Sequence, residues 1–458
     1  MAGCLERLLG WEKMDNKLPE LHRPLPTTGA WSGILEALAF FRDPDFVGQR
    51  FNQLGDVYAT RLLGQPLVFI RGGRAISDLL SQSDATVGWW PESVRQLLGT
   101  RSLANRNGSD HRARRRVVGQ LFSAAALRRY SPEIVTLVDE LAADLQNAIT
   151  PIPLVARMRR FAFSVIATVV LGLQGDDRDA LFADFEIWTR ALFSIPIAFP
   201  GSPFSRALEA RTRLLARLGG VLKRARDQEE VGQPLAGGLD LLSGGLDEAG
   251  LPLTDDDLVE QLLLLLFAGY ETTASSLSCL MAAVLQNPEV LPWLQSEIDS
   301  LNWPLDEQES TPRLSALVQE VMRLNPPVGG FFRRTTRELV LDGVQVPEGS
   351  VVQVALASSN RTRSGEDRDA ESDDLDQFRP ERHLNGNSGI TLLPFGGGER
   401  VCLGKALAEL EIRLMAVGLL RQLNLSLEPD QDLSLQLIPS PSPRGGLLVR
   451  AMSRNGSN

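Results

Sequence analysis

The stretch P-F-G-G-G-E-R-V-C-L-G-K-A-L, from Pro394 to Leu407, sets one cysteine beside a run of glycines and just ahead of a helical pattern. Leu403, Leu407, Leu410 and Leu414 recur at helix spacing, which puts Cys402 at or next to a helix N-terminus. Unpaired backbone N–H groups and the helix dipole favour negative charge there and lower the pKa of a thiol. Gly396, Gly397 and Gly398 let the backbone approach something large and flat without a Cβ in the way. A lone thiolate on such a ledge is one of the few ways a protein holds haem iron, and the one that favours cleavage of the O–O bond.

Two plainer readings compete. A glycine-rich loop ahead of a helix commonly cradles phosphate, but the P-loop spacing needs glycine where Glu399 stands and a hydroxyl where Ala406 stands. An inert buried cysteine in a turn is the better reading of an isolated thiol. Here Phe395, Gly398, Arg400, Cys402 and Gly404 form F-x-x-G-x-R-x-C-x-G, five fixed positions of distinct type. That pattern resembles the haem-ligand loop of the haem-thiolate monooxygenases, the cytochromes P-450. The resemblance implies Cys402 as the axial ligand to the iron of haem b, with Phe395 at the cofactor and Arg400 on a propionate. Dioxygen is then the co-substrate.

Composition sets the outer limits. A chain of 458 residues with 43% hydrophobic content has ample material for a core, and its length allows two or three domains without requiring them. A net charge of −10 argues against a general nucleic-acid binder. Cys4, Cys279 and Cys402 are odd in number and far apart, which excludes a disulfide framework and suits a reducing compartment. His22, His111 and His383 are too scattered for a zinc or bis-histidine site, and the absence of C-x-x-C-H excludes c-type haem attachment. No run approaches the roughly 20 apolar residues of a membrane span. The charged N-terminus lacks a signal-peptide core. The expectation is a cytoplasmic monomer, with peripheral membrane contact left open.

The elements that must position the cysteine follow in order. Ile34 to Leu54 has helical spacing, and Val57 to Ile70 reads as a strand hairpin. In H-R-A-R-R-R, His111 and Arg115 lie at i and i+4 and so share a helix face. A solvated face is the plain reading of this run. The resemblance instead places His111 and Arg115 on a haem propionate, leaving Arg112, Arg114 and Arg116 for contacts with a redox partner. Residues 228–250, rich in Gly, Asp and Glu, read as a linker by composition alone. In the P-450 fold they are an exposed loop, so one domain is expected over 25–452, with tails at 1–24 and 453–458.

Thr254 starts a long helix, with Asp257 in a capping-box position, running to about Gln286 before Asn287-Pro288. Leu262 to Phe267 is apolar on every face, as in a helix through the centre of a protein. Ala268 to Thr273 reads A-G-Y-E-T-T; Gly269 and the threonines weaken the helix, and Thr272 can bond back to Ala268. This matches the oxygen-activation segment of the P-450s. The match implies Glu271 and Thr272 as proton-handling catalytic residues, with Ala268 and Gly269 against the haem. Glu320 and Arg323, at i and i+3, lie off an apolar stripe of Leu314, Leu317, Val318, Val321 and Leu324, and in isolation form a surface pair. They also match the E-x-x-R that, completed by Arg382 of P-E-R, braces the cysteine loop. His383 departs from the usual Phe at the next position. Arg333 falls where the family sends a second arginine to a propionate.

The resemblance implies a mainly α fold with a minor β-sheet region, the haem held between the long central helix and the cysteine-loop helix. The activity would be insertion of one oxygen atom into an apolar small molecule. Electrons would come from a separate ferredoxin and ferredoxin reductase, with NADPH as source, since the chain has no flavin or iron–sulfur motif of its own. Peroxygenase or isomerase chemistry, a fatty-acid or terpenoid substrate, and a non-catalytic haem sensor are the alternatives. W-P-E-S-V-R-Q-L-L-G, E-V-M-R-L-N-P-P-V-G-G and F-S-I-P-I are similar to the retinoid-hydroxylating branch, which suggests a retinoid or apocarotenoid. Trp90, Phe193, Phe267, Val328 and Phe331 would line its pocket. Phe331 stands where that branch has glycine.

Overall fold

Thr254 caps the helix that forms the axis of the molecule. Its hydroxyl accepts from the backbone N–H of Asp257 at 3.2 Å, and the helix runs unbroken from Asp255 to Gln286. Leu262, Leu263, Leu266, Leu277 and Met281 along it are fully buried. Each contributes about 1.5–3 kcal/mol by leaving water. By length and composition this helix is apolar enough to cross a membrane, but most of that apolar stretch is buried inside the protein.

The computed structural model describes residues 22–454 except 29–32, 44, 63, 193–196, 234–236, 243, 307–308, 363–374, 385–389 and 391. In chain order its helices are α1 (Gly33–Arg42), α2 (Phe46–Leu54), α3 (Gly73–Ser81), α4 (Glu92–Leu98), α5 (Gly108–Gly119), α6 (Ala124–Gln146) and α7 (Leu154–Val169). They continue with α8 (Gly175–Thr189), α9 (Pro203–Glu230), the axial α10, α11 (Val290–Ile298), α12 (Pro312–Leu324), α13 (Leu356–Ser359) and α14 (Lys405–Gln422). The strands are short: β1 (Val57–Leu62), β2 (Gln65–Ile70), β3 (Thr86–Gly88), β4 (Ile152–Pro153), β5 (Gly330–Thr335) and β6 (Leu339–Leu341). The rest are β7 (Val344–Val346), β8 (Val351–Ala355), β9 (Leu423–Leu427), β10 (Leu435–Gln436), β11 (Ser442–Pro443) and β12 (Leu448–Ser453).

One sheet has the order β1-β2-β8-β5-β3, antiparallel except for the β2–β8 pair. A three-stranded sheet, β4-β12-β9, and the ribbons β10–β11 and β6–β7 complete the β structure. The main core unites α4 to α12 and α14; a smaller one lies between the five-stranded sheet and α3. This is the expected mainly helical domain with a minor sheet region. The single helix expected over 34–54 is two helices, because Pro44 disfavours helical geometry in the residue before it.

The register of β5 decides what reaches the site. Gly88 pairs with Arg333, and Arg333 pairs on its other side with Val352. Side chains alternate across a strand, so Phe331 and Arg333 share one face, with the guanidinium 4.7 Å from the ring centre.

Candidate active site

Four cationic or potentially cationic side chains from three elements converge. His111 and Arg115 come from α5, Arg333 from β5 and Arg400 from the loop before α14. Arg115 donates from Nη2 to the carbonyl of Val401 at 2.7 Å, tying α5 to the cysteine loop. Arg400 donates to Asn107 Oδ1 at 2.6 Å and to the carbonyl of Arg106. Arg333 donates to the carbonyl of Phe332 at 2.8 Å. Among the described residues none of these three arginines forms an ion pair with a carboxylate. Burial, and then the positive charge of Arg400, Arg115, Arg333 and Arg112, pushes the His111 imidazole down to about 4, so it is neutral at pH 7. Burial and Arg400 likewise lower Arg333 to about 10. Half-buried cations without a paired carboxylate are costly unless an anionic group completes the site. The two propionates of a haem are such groups, and the residues present fit them.

Cys402 lies two residues before the helix N-cap, Gly404, at the end of a tight loop. Its backbone N–H donates to the carbonyl of Phe395 at 2.8 Å, which closes that loop. Gly396 (φ 70°) and Gly398 (φ 67°) occupy the left-handed region that favours glycine. A Cβ on Gly397 would come within 2.7 Å of Leu80. The expected open ledge is therefore partly a demand of the turn and of packing on α3.

The thiol is raised, not lowered, relative to its ordinary pKa. Burial outweighs the N–H of Gly404 and the charge of Arg115, which both pull the other way. Cys402 retains accessible surface while protein crowds it on its remaining sides, and that crowding removes the water that would solvate a thiolate. A bound metal displaces the thiol proton, so the site supplies a soft ligand without keeping a free nucleophile.

On α10, Thr272 donates from Oγ1 to the carbonyl of Ala268 at 2.6 Å, the expected back-bond. Ala268 is exposed and Thr272 half-buried in the middle of a helix whose neighbours are buried, so one face opens there. Gly269 belongs to a different face. A Cβ on it would lie 2.7 Å from Ile166 of α7, so its glycine serves the close packing of two helices. Glu271 is 9% exposed and meets Arg159 of α7 at 3.6 Å. Burial raises its pKa and Arg159 opposes the rise, which suits a carboxyl that exchanges protons. Among the described residues no bond joins Glu271 to Thr272.

Glu320 and Arg323 are completely buried, in contrast to the surface pair that helix spacing alone suggests. Their fork is bidentate, at 2.7 and 2.9 Å, and Arg382 donates to the same carboxylate at 3.1 Å. The backbone N–H of Arg379 adds a bond at 2.8 Å. Burial alone would raise the Glu320 pKa, but the bonds from Arg323, His383 and Arg379 outweigh it and hold it at about 2. Arg323 also caps the carbonyls of Leu375, Asn360 and Gln377.

The residues expected in a substrate pocket differ in exposure and in their neighbours. Trp90 is half-buried, its indole N–H on the carbonyl of Ala104 at 3.1 Å. Phe267 meets Trp188 edge-on at 5.9 Å, Val328 is exposed, and Phe331 is half-buried under Arg333. Phe193 lies outside the described residues. Of the three arginines assigned to a redox partner, Arg112 and Arg116 are exposed. Arg114 is buried against Asp110, Asp257 and Glu248 and is not available to a partner.

Sequence reasoning missed Asn107 and Gly88. Asn107 Oδ1 accepts from both Arg400 and the Gly88 N–H, and a Cβ on Gly88 would lie 2.5 Å from the Arg400 guanidinium carbon. Neither carries a sequence signal, because both act through a pairing distant in the chain.

A cysteine on a closed glycine loop, beside a cluster of cations that among the described residues form no ion pair, fits a haem-thiolate site in a mainly helical fold. The cytochrome P450 family model matches residues 24–449. A protein named as cytochrome P450 120 of Synechocystis is 35% identical over 92% of this chain and 95% of the relative. Cytochrome P450 26B1 of Danio rerio is 33% identical over 90% of this chain and 83% of its own length. A solved structure of retinoic acid-bound cyanobacterial CYP120A1 superimposes with a TM-score of 0.84 at 34% identity, over 94% of this chain and all of that one. The chain belongs to the cytochrome P450 family of haem-thiolate monooxygenases, which use dioxygen, a small-molecule substrate and a separate redox partner.

Proposed function

We propose that this monooxygenase hydroxylates a long apolar polyene, a retinoid or an apocarotenoid, with Cys402 as the axial iron ligand. When bound, the haem supplies dioxygen activation, with electron donation from the thiolate favouring O–O cleavage. His111, Arg115, Arg333 and Arg400 hold its propionates, and Phe395 closes the loop behind the ligand. Glu271 passes protons inward from the Arg159 side, and Thr272 holds a proton over the open face beside Ala268. Trp90, Phe267 and Phe331 contribute apolar surface to the substrate, with Val328 at its margin. The observation carrying this reading is the convergence of one cysteine loop with cations that, among the described residues, form no ion pair with a carboxylate. The retinoid assignment rests on the sequence stretches named above and on the structural neighbour, which was solved with retinoic acid.

A ferredoxin with an NADPH-dependent reductase is the proposed electron source, and the cytoplasm the proposed compartment. Turnover of retinoic acid and of apocarotenals with ferredoxin, reductase and NADPH, against peroxide alone, tests the whole scheme. Product only with peroxide would make the protein a peroxygenase. Cys402→Ser should abolish the thiolate-type band of the reduced carbon-monoxide complex; a retained band would remove Cys402 as ligand. Thr272→Ala should divert reducing equivalents into hydrogen peroxide at the expense of product, and unchanged coupling would exclude its proton role.

A further inference from the structure

We propose that His383 is a positioning residue for the cysteine loop, the fourth side chain of the cluster around Glu320. This rests on Cys402 being the iron ligand. His383 Nε2 lies 2.8 Å from Glu320 Oε2, its side chain 3% exposed and that of Glu320 fully buried. The two carboxylate oxygens are shared unequally. Among the described residues Oε1 accepts from Arg323 Nη2, Arg382 Nε and the Arg379 N–H, whereas Oε2 accepts from Arg323 Nε and His383. At zero exposure no solvent molecule replaces a lost donor, so removing His383 leaves Oε2 underbonded at a buried charge.

The consequence reaches the cysteine through α12. One side of α12, with Leu314, Val318 and Met322, walls a groove of about 1030 Å³ whose other wall includes Pro394, Phe395 and Gly396 of the cysteine loop. Glu320 and Arg323 bind that same helix to the Leu375–His383 segment, which leads into the loop. Five donors on one carboxylate therefore set the loop's supporting helix and its approach segment relative to each other.

Three variants of the haem-loaded protein separate the donor from packing. His383→Phe keeps ring size and removes the donor. His383→Gln carries an amide N–H at about the reach of Nε2, and His383→Asn carries one only at the reach of Nδ1. Under mild heating, conversion of the thiolate-type to the thiol-type carbon-monoxide band should be about tenfold or more faster in the Phe and Asn variants, with Gln close to wild type. Wild-type behaviour of the Phe variant overturns the proposal, as does failure of the Gln variant to rescue. A second measurement needs neither haem nor a variant at this site. The nitrogen–proton correlation spectrum of the three histidines should show a proton on His383 Nε2, and a ring protonated only at Nδ1 would overturn the proposal. Loss of the thiolate-type band in Cys402→Ser together with indifferent His383 variants would sink this inference alone. Retention of that band in Cys402→Ser would sink the ligand assignment instead.

Discussion

Two groups of buried and half-buried arginines hold this protein's chemistry in place, and they are built on opposite principles. Around Glu320 the cations share a counter-charge: Arg323, Arg382 and His383 surround one carboxylate, and the spare guanidinium N–H groups of Arg323 reach backbone carbonyls. Around His111 the cations repel one another, and among the described residues Arg115, Arg333 and Arg400 hydrogen-bond to carbonyl and amide oxygens and form no ion pair with a carboxylate. A closed cluster contributes rigidity to the chain itself. An open one stores an unfavourable energy that a bound anion relieves, so it contributes affinity. The same residue type is structural in one place and ligand-binding in the other, according to whether the fold supplies its counter-charge.

That contrast is easiest to break at the closed cluster. Arg323→Ala should strip the buried Glu320 of its bidentate partner, two of its five bonds among the described residues, and cost about 3–5 kcal/mol; denaturant unfolding of the haem-free protein measures it. A loss no larger than that of an exposed pair would deny the cluster its structural role. Arg333→Met in the open cluster should do the reverse. It keeps the apolar stem over Phe331 and removes a repelling charge, so the haem-free protein should be at least as stable while haem binds about tenfold more weakly. Equal destabilisation by both variants would erase the distinction.

The finest probe is pH. Glu320 sits at about 2 in the folded state against an ordinary 4.5, so the unfolded chain takes up the proton first as pH falls. Its contribution is complete above pH 4.5 and is lost between 4.5 and about 2. His111 sits at about 4 against an ordinary 6.5, and again the unfolded state binds its proton first. Stability of the haem-free protein should therefore also fall between pH 6.5 and about 4. His111→Gln should flatten that upper limb and leave the lower one unchanged. Haem should flatten it too, because propionates beside the imidazole remove the penalty on its charged form.

Much of this was legible in the residues. Thr254, the apolar run Leu262–Phe267 and the proline after Asn287 state a central helix, and its observed bounds follow them. The glycines before Cys402 state a loop, because Gly396 and Gly398 stand at positive φ, where other residue types are disfavoured. Such features arise from neighbours in sequence, where spacing and residue type carry the physical information. The burial of Glu320 and Arg323 was not legible from spacing, since an i, i+3 ion pair reads the same on a surface as in a core. The direction of the Cys402 shift was not legible either, because helix position is local and desolvation is not.

Gly269 shows the same boundary from the other side. Its type marked a special position on α10, but only the approach of Ile166 reveals that α7 is the reason. His383, a departure from the usual residue when read along the chain, becomes a partner once Glu320 is beside it. The sequence by itself determined which groups are present and where helices and turns must fall, because those depend on short-range sterics and periodic burial. Only the tertiary structure decided which charges are answered and which are left open, because a counter-charge is supplied by residues distant in the chain.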